Sequence, residues 1–132
     1  MQFNHLSFPS NDVAGTTEFF VRQLGCTAER VGGFTALKRA GFDIIIEDAG
    51  DRKVSWPHNF HLGFELESVE EVRSLYKRFK EEGVHMATEV FHHERGSRFF
   101  CEAPGGLLFE INTRADAAER FRASFAAQAQ SR

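Results

Sequence analysis

His5-Leu6-Ser7-Phe8 and His61-Leu62-Gly63-Phe64 are near-copies of one tetrapeptide, set 56 residues apart. Each lies in an alternating stretch, the period of a half-buried β-strand. Residues at helical spacing follow each copy, and further short strands follow those. A second alignment falls at the far end of both units, where Gly41-Phe42-Asp43-Ile44-Ile45 matches Gly106-Leu107-Leu108-Phe109-Glu110. The chain reads as one βαββ-type unit used twice, and the halves of such a duplication must pack together to bury a core.

Module one runs over about 1–50, a linker over 51–58 within the polar stretch Ala49 to His58, and module two over about 59–113. A strand from Gln2 to Phe8 is expected to stop at Pro9. Ser10 or Asn11 can cap a helix carrying Val13, Thr17, Phe20, Val21 and Leu24, with Gly25 as its stop. Cys26 to Val31, Phe34 to Arg39 and Phe42 to Asp48 read as strands. The second module opens with a strand at Asn59, and Ser68 with Glu71 then forms a capping box. Val69, Val72, Leu75, Tyr76 and Phe79 make the buried stripe of the second helix, which Gly83 ends. Strands are expected at Met86 to His92, Arg98 to Glu102 and Leu107 to Asn112. A last helix over about 115–128 sets Ala118, Phe121 and Phe125 on one side.

Composition narrows the function. A chain of 132 residues with net charge -3 fits a single domain, and no basic run suggests nucleic acid. The apolar stretches are strand-sized, which argues against a membrane span, and no leader pattern opens the chain. Cys26 and Cys101 do not make a disulfide scaffold, so the expected location is cytoplasmic. Of the aromatic residues 15 are Phe, against one Trp and one Tyr, which suits a core, an apolar pocket or both.

The chemistry sits on the repeat. His5, His61 and Glu110 occupy three of four equivalent positions, and two imidazoles with one carboxylate are a ligand set for a divalent metal ion. Such a set keeps about three positions open for water or substrate. Glu110 lies mid-strand among Leu107, Leu108, Phe109 and Ile111, where a carboxylate is costly unless paired or coordinated. The alternative is that both histidines are hydrogen-bonded core residues and Glu110 pairs with an arginine. Ile45 holds the fourth position and cannot ligate; Asp43 and Glu47 share its strand face. Glu110 and His92 are the candidate catalytic groups, with His93 beside the latter. Ser7, Ile45, Arg98 and Phe100 are read as substrate-pocket residues, Arg98 holding an anionic group.

Asn4-His5-Leu6, the helix end Leu24-Gly25, Phe60-His61-Leu62, and Ser97 to Glu110 with its Ala-Pro-Gly-Gly turn before Leu-Leu-Phe-Glu resemble the vicinal oxygen chelate superfamily. That superfamily includes glyoxalase I, fosfomycin-resistance transferases, extradiol dioxygenases and metal-free bleomycin-resistance proteins. The resemblance covers about residues 2 to 113. It implies an α+β fold of two βαβββ modules forming a curled mixed sheet around a metal site. It also implies His5, His61 and Glu110 as ligands of Mn, Fe, Zn, Ni or Co, a small-molecule substrate that chelates through adjacent oxygens, and a homodimer. Lyase, isomerase, thiol transferase and ring-cleaving dioxygenase activities all fall within it, as does metal-free sequestration. Glyoxalase I has a glutamate where this chain has Ile45. The dioxygenase pattern fits from His92 through Phe99, Pro104 and Gly106 to Glu110, except that its Tyr is Phe100. The fosfomycin transferases have a lysine where this chain has Val90.

Overall fold

The alternation in the two tetrapeptides becomes the first strand of each of two four-stranded mixed sheets in the computed structural model, which describes residues 1–39 and 41–122. The first sheet holds β1 (His5–Ser10), β2 (Thr27–Val31), β3 (Phe34–Arg39) and β4 (Phe42–Asp48) in the order β1-β4-β3-β2, with β1 and β4 parallel. The second holds β5 (His61–Leu66), β6 (His85–Met86), β7 (Arg98–Glu102) and β8 (Leu108–Thr113) in the order β5-β8-β7-β6, with β5 and β8 parallel. Helix α1 (Val13–Leu24) follows β1 and α2 (Val69–Glu81) follows β5. The fold is α+β. Two compact units result: residues 1–58 with Ala103–Leu107, and Asn59–Glu102 with the chain from Leu108 onward.

Register carries the repeat into the sheets. His5 pairs with Asp43 and Ser7 with Ile45; His61 pairs with Leu108 and Gly63 with Glu110. Ile45 and Glu110 are therefore structural equivalents, as the sequence alignment requires. Strand alternation then splits each sheet into two faces. In the first unit Phe8, Ile44, Ile46 and Leu37 are buried with Phe19 and Phe20 of α1, and His5, Ser7, Ile45 and Glu47 share the opposite face. In the second, Phe79 of α2 packs edge-on against Phe99 and Phe109 at 6.1 and 6.3 Å. His61, Glu110, Asn112, Phe100 and Arg98 share the opposite face. Burying one such ring contributes about 1.5–3 kcal/mol.

Local chemistry moves several element ends. Pro9 lies inside β1 and does not end it, because β1 is an edge strand and needs no amide on its outer side. The cap of α1 is Asp12, whose carboxylate accepts from Gly15 N at 2.9 Å; Ser10 is buried and bonded to Thr16 instead. Gly25 adopts the left-handed conformation at the end of α1, and the Ser68–Glu71 capping box opens α2 as expected. The expected strand Met86 to His92 shrinks to His85–Met86 with one bridge at Phe91. Thr88 Oγ1 takes the Phe100 amide, and the amides of Ala87 and Thr88 both turn to Phe100 O, which breaks the ladder. Residues 115–118 form a turn, so the last helix begins at Glu119; Phe125 lies outside the described residues.

Two glycines are fixed by close approach. A Cβ on Gly105, at φ +95°, would strike Ser10 Oγ at 2.4 Å. A Cβ on Gly96, at φ +109°, would overlap the carbonyl of Thr113. Neither position admits a side chain. In the linker Trp56 packs edge-on against Phe8 at 5.9 Å, and Asn11 donates to the carbonyls of Gly50 and Arg52.

Candidate metal centre

His61 and Glu110 are brought together by the parallel pairing of β5 and β8. His61 Nε2 lies 3.4 Å from Glu110 Oε2, and the two side chains are 27% and 7% exposed. The other ring nitrogen, Nδ1, is 2.7 Å from the backbone oxygen of Asn59. A carbonyl only accepts, so Nδ1 donates to it, and in the neutral ring Nε2 turns its lone pair toward a carboxylate oxygen. With the ring neutral, two acceptors face each other there, an arrangement that a proton or a metal cation between them relieves. Two ligands about 2.1 Å from one tetrahedral ion are themselves about 3.4 Å apart. A carbonyl behind a ligating histidine is the usual device for fixing its tautomer.

Asn59 reaches that position through a left-handed backbone, φ +62°, the one non-glycine residue with positive φ among those described. Asn tolerates this conformation better than most residues, and such outliers gather at functional sites. His5 is held in a parallel way: its Nδ1 is 2.6 Å from Asn4 Oδ1, so in the neutral ring its Nε2 is the free acceptor.

Glu110 has two further partners. Asn112 Nδ2 donates to Oε1 at 2.7 Å, and Arg98 Nη1 is 3.2 Å from the same oxygen. Glu110 thus pairs with an arginine, the alternative weighed above, while its second oxygen stays turned to His61. Arg98 is 7% exposed and donates through Nε to Gly96 O. Phe100 sets its ring edge-on to His61 at 5.0 Å and stacks with Phe91 at 6.3 Å, forming an apolar wall beside the pair.

The remaining predicted residues stand elsewhere. His5, Ser7 and Ile45 share a face of the first unit, where Ser7 Oγ donates to Glu47 Oε1 at 2.8 Å. His92 Nδ1 is 3.0 Å from Asp116 Oδ2, which also takes the Ser97 hydroxyl at 2.6 Å. Phe91 pairs with Arg98, so strand alternation puts His92 and Ser97 on the opposite side from Glu110. Burial raises the pKa of Asp116, but the Ser97 hydroxyl and amide and then His92 outweigh it and hold the carboxyl below its usual value. Among the described residues no group of three or more His, Cys, Asp or Glu is assembled for an ion; His61 and Glu110 are brought together and His5 belongs to the other unit. The sequence motifs assign no role at the site to Asn4, Asn59 or Asn112. Asn112 follows Glu110 by two, which is the strand spacing for one face.

The glyoxalase/bleomycin resistance protein/dioxygenase superfamily model matches residues 2–111. The chain belongs to that superfamily. Among solved structures of the superfamily, a possible glyoxalase from Bacillus cereus is 30% identical, with a TM-score of 0.72 over 85% of this chain and 98% of that one. A superfamily protein from Alicyclobacillus acidocaldarius is 26% identical, with a TM-score of 0.65 over 92% and 95%. A lactoylglutathione lyase from Agrobacterium tumefaciens shares the fold at 13% identity, with a TM-score of 0.67 over 84% and 92%. No curated protein matches the sequence. No helix among the described residues is long and apolar enough to cross a membrane.

Proposed function

We propose that this superfamily member is a divalent-metal-dependent enzyme whose ion is held by His5, His61 and Glu110. Its substrate is a small molecule that offers two adjacent oxygens. The observation that carries the reading is His61 Nε2 facing Glu110 Oε2 at 3.4 Å with Nδ1 already committed to Asn59. The residues present fit a metal: two aligned donors, a fixed tautomer, and a second histidine on the equivalent strand with the same free nitrogen. An ion held by these residues would supply Lewis-acid polarisation of a chelating substrate or activation of oxygen. The chain's own residues do the rest. Phe100 and Phe91 present an apolar surface for a hydrocarbon or aromatic body, and Asn59 O holds the His61 ring in its working tautomer.

A second copy of the chain is part of the proposal. His5 of one protomer serves with His61 and Glu110 of the other in a homodimer. Cys26 and Cys101 are unbridged and buried, which suits a reducing cytoplasm.

One observation favours a second reading. Arg98 gives Glu110 a cationic partner without any ion, as a metal-free sequestering protein would need. Elemental analysis of protein purified without chelator or metal-affinity tag separates the two. Stoichiometric metal in the wild type and its loss in His61→Ala supports the enzyme; equal content in both removes it.

A further inference from the structure

We propose that the first unit carries a second binding site, a cleft between α1 and β2 that takes a small apolar amino acid in its zwitterionic form. The site is independent of the metal reading above. Helix α1 has two working faces. Thr16, Phe19, Phe20 and Leu24 are buried. Ala14, Thr17, Glu18 and Val21 recur at i, i+3, i+4 and i+7, which makes a further stripe on the same helix. That stripe is one wall of a cleft of about 530 Å³, and Ala28 and Arg30 of β2 belong to the other. Ala28 pairs with the buried Leu37 and Arg30 with the buried Thr35, so both lie on the sheet face that α1 covers. The volume falls within the roughly 300–1,000 Å³ of small-molecule sites.

The duplication shows that this face is not a requirement of the fold. The helices of the two modules both open on valine, Val13 and Val69. At that alignment Ala14, Thr17 and Val21 correspond to Glu70, Arg73 and Lys77. Helix α2 turns charge outward where α1 turns apolar groups, and Val21 is 40% exposed. The second wall is absent from that module too, because β6 has 2 residues where β2 has 5. Polar groups then say what the cleft takes. Thr17 Oγ1 is buried without a hydrogen-bond partner among the described residues, and leaving it so is costly. Glu18 on the helix wall and Arg30 on the strand wall are opposite charges, and neither has an ion-pair partner among the described residues. Glu29, the other acid at the rim, lies on the opposite sheet face, where its charge acts on Lys38. A molecule that bridges the walls carries an ammonium for Glu18, a carboxylate for Arg30 and an aliphatic body for Ala14, Val21 and Ala28. Those are the three parts of an apolar amino acid.

The test titrates the full chain with L-leucine and follows the backbone amide resonances of Thr17, Ala28 and Arg30. N-acetyl-L-leucine, which lacks the ammonium, and L-leucinamide, which lacks the carboxylate, are the comparison probes. Leucine should give saturable shifts at all three amides, and each derivative should bind more weakly by about five-fold, the scale of one charged contact near a surface. Glu18→Gln should erase the preference for leucine over N-acetyl-L-leucine, and Arg30→Gln the preference over L-leucinamide. Ala14→Glu with Val21→Lys gives α1 the residues that α2 carries, and should abolish the shifts while the thermal melt stays near that of the wild type. Where that double variant fails to fold, Val21→Lys alone carries the comparison. The absence of saturable shifts with leucine overturns the site. Equal binding of all three probes, or preferences that survive Glu18→Gln and Arg30→Gln, overturns the zwitterion.

Discussion

His61 Nε2 and Glu110 Oε2 face each other across 3.4 Å, while Nδ1 of the same ring donates to Asn59 O at 2.7 Å. Strand pairing brings these residues together from positions 49 apart in sequence, and a backbone outlier two residues before His61 fixes the orientation of the ring. Most of what can be tested about the protein follows from that pair.

Removal of a ligand is the direct test. His61→Ala and Glu110→Ala should each lower divalent-metal affinity by at least about ten-fold, whereas Ile45→Ala should leave it nearly unchanged. Isothermal titration with manganese(II) or zinc(II) measures this. A loss in Ile45→Ala equal to that in His61→Ala would mean that the first module's β4 supplies more of the site than an alkyl wall.

Asn59 is expected to tolerate glycine and resist a branched residue. The hydrogen bond to His61 comes from its backbone, so Asn59→Gly should keep both metal affinity and stability. Asn59→Val forces a β-branched residue to positive φ, at a cost of about 1–3 kcal/mol, and displaces the carbonyl. Thermal melts of the two variants with and without metal show the contrast. A lower melting temperature for the glycine variant than for valine would contradict the backbone argument.

Shared sites can be read by complementation. If His5 of one protomer completes the partner's His61–Glu110 pair, His5→Ala and His61→Ala chains bind little metal separately, yet their mixed dimer contains one intact site. Co-expression with two different tags, followed by elemental analysis of the doubly tagged species, should recover metal that neither parent holds. Light scattering on the wild type should give twice the chain mass.

The turn at 93–97 should respond to pH through Asp116. Its pKa is lowered in the folded state, so its contribution to stability is present above the unfolded carboxylate value of about 4 and is lost as pH falls through the lower folded value. Denaturant unfolding should therefore show Asp116→Asn less stable than wild type at pH 7, with the gap closing below about pH 4. A gap that stays constant down to pH 3 would show that the charge is not involved.

Gly96→Ala should be among the most damaging substitutions outside the core. Its Cβ would overlap the Thr113 backbone and it would have to adopt φ +109°, so a loss of more than about 3 kcal/mol is expected. Phe79→Ala, which empties the space between Phe99 and Phe109, should cost about 3–5 kcal/mol. Urea unfolding measures both.

The repeat was legible because alternation and helical spacing are local, and because two copies of one pattern corroborate each other. His5 against His61 and Ile45 against Glu110 came from the chain alone, and the ladder registers match them. The C-terminal stop of α1 at Gly25 and the Ser68–Glu71 capping box were equally local and equally visible. Pro9 misled because a proline's effect on a strand depends on whether that strand lies at an edge, which one strand's sequence does not contain. The strand expected from Met86 failed for a similar reason: Thr88 bonds to Phe100, twelve residues away, and propensity knows nothing of that partner. Which arginine Glu110 meets, which way His92 turns, and how Asn112 comes to hold Oε1 were decided only by tertiary structure. Those are distances and directions between strands, set by register and by side chains absent at positions such as Gly63. Residue types along the chain determine which chemistry is available; the pairing of β5, β7 and β8 determines which atoms meet to perform it.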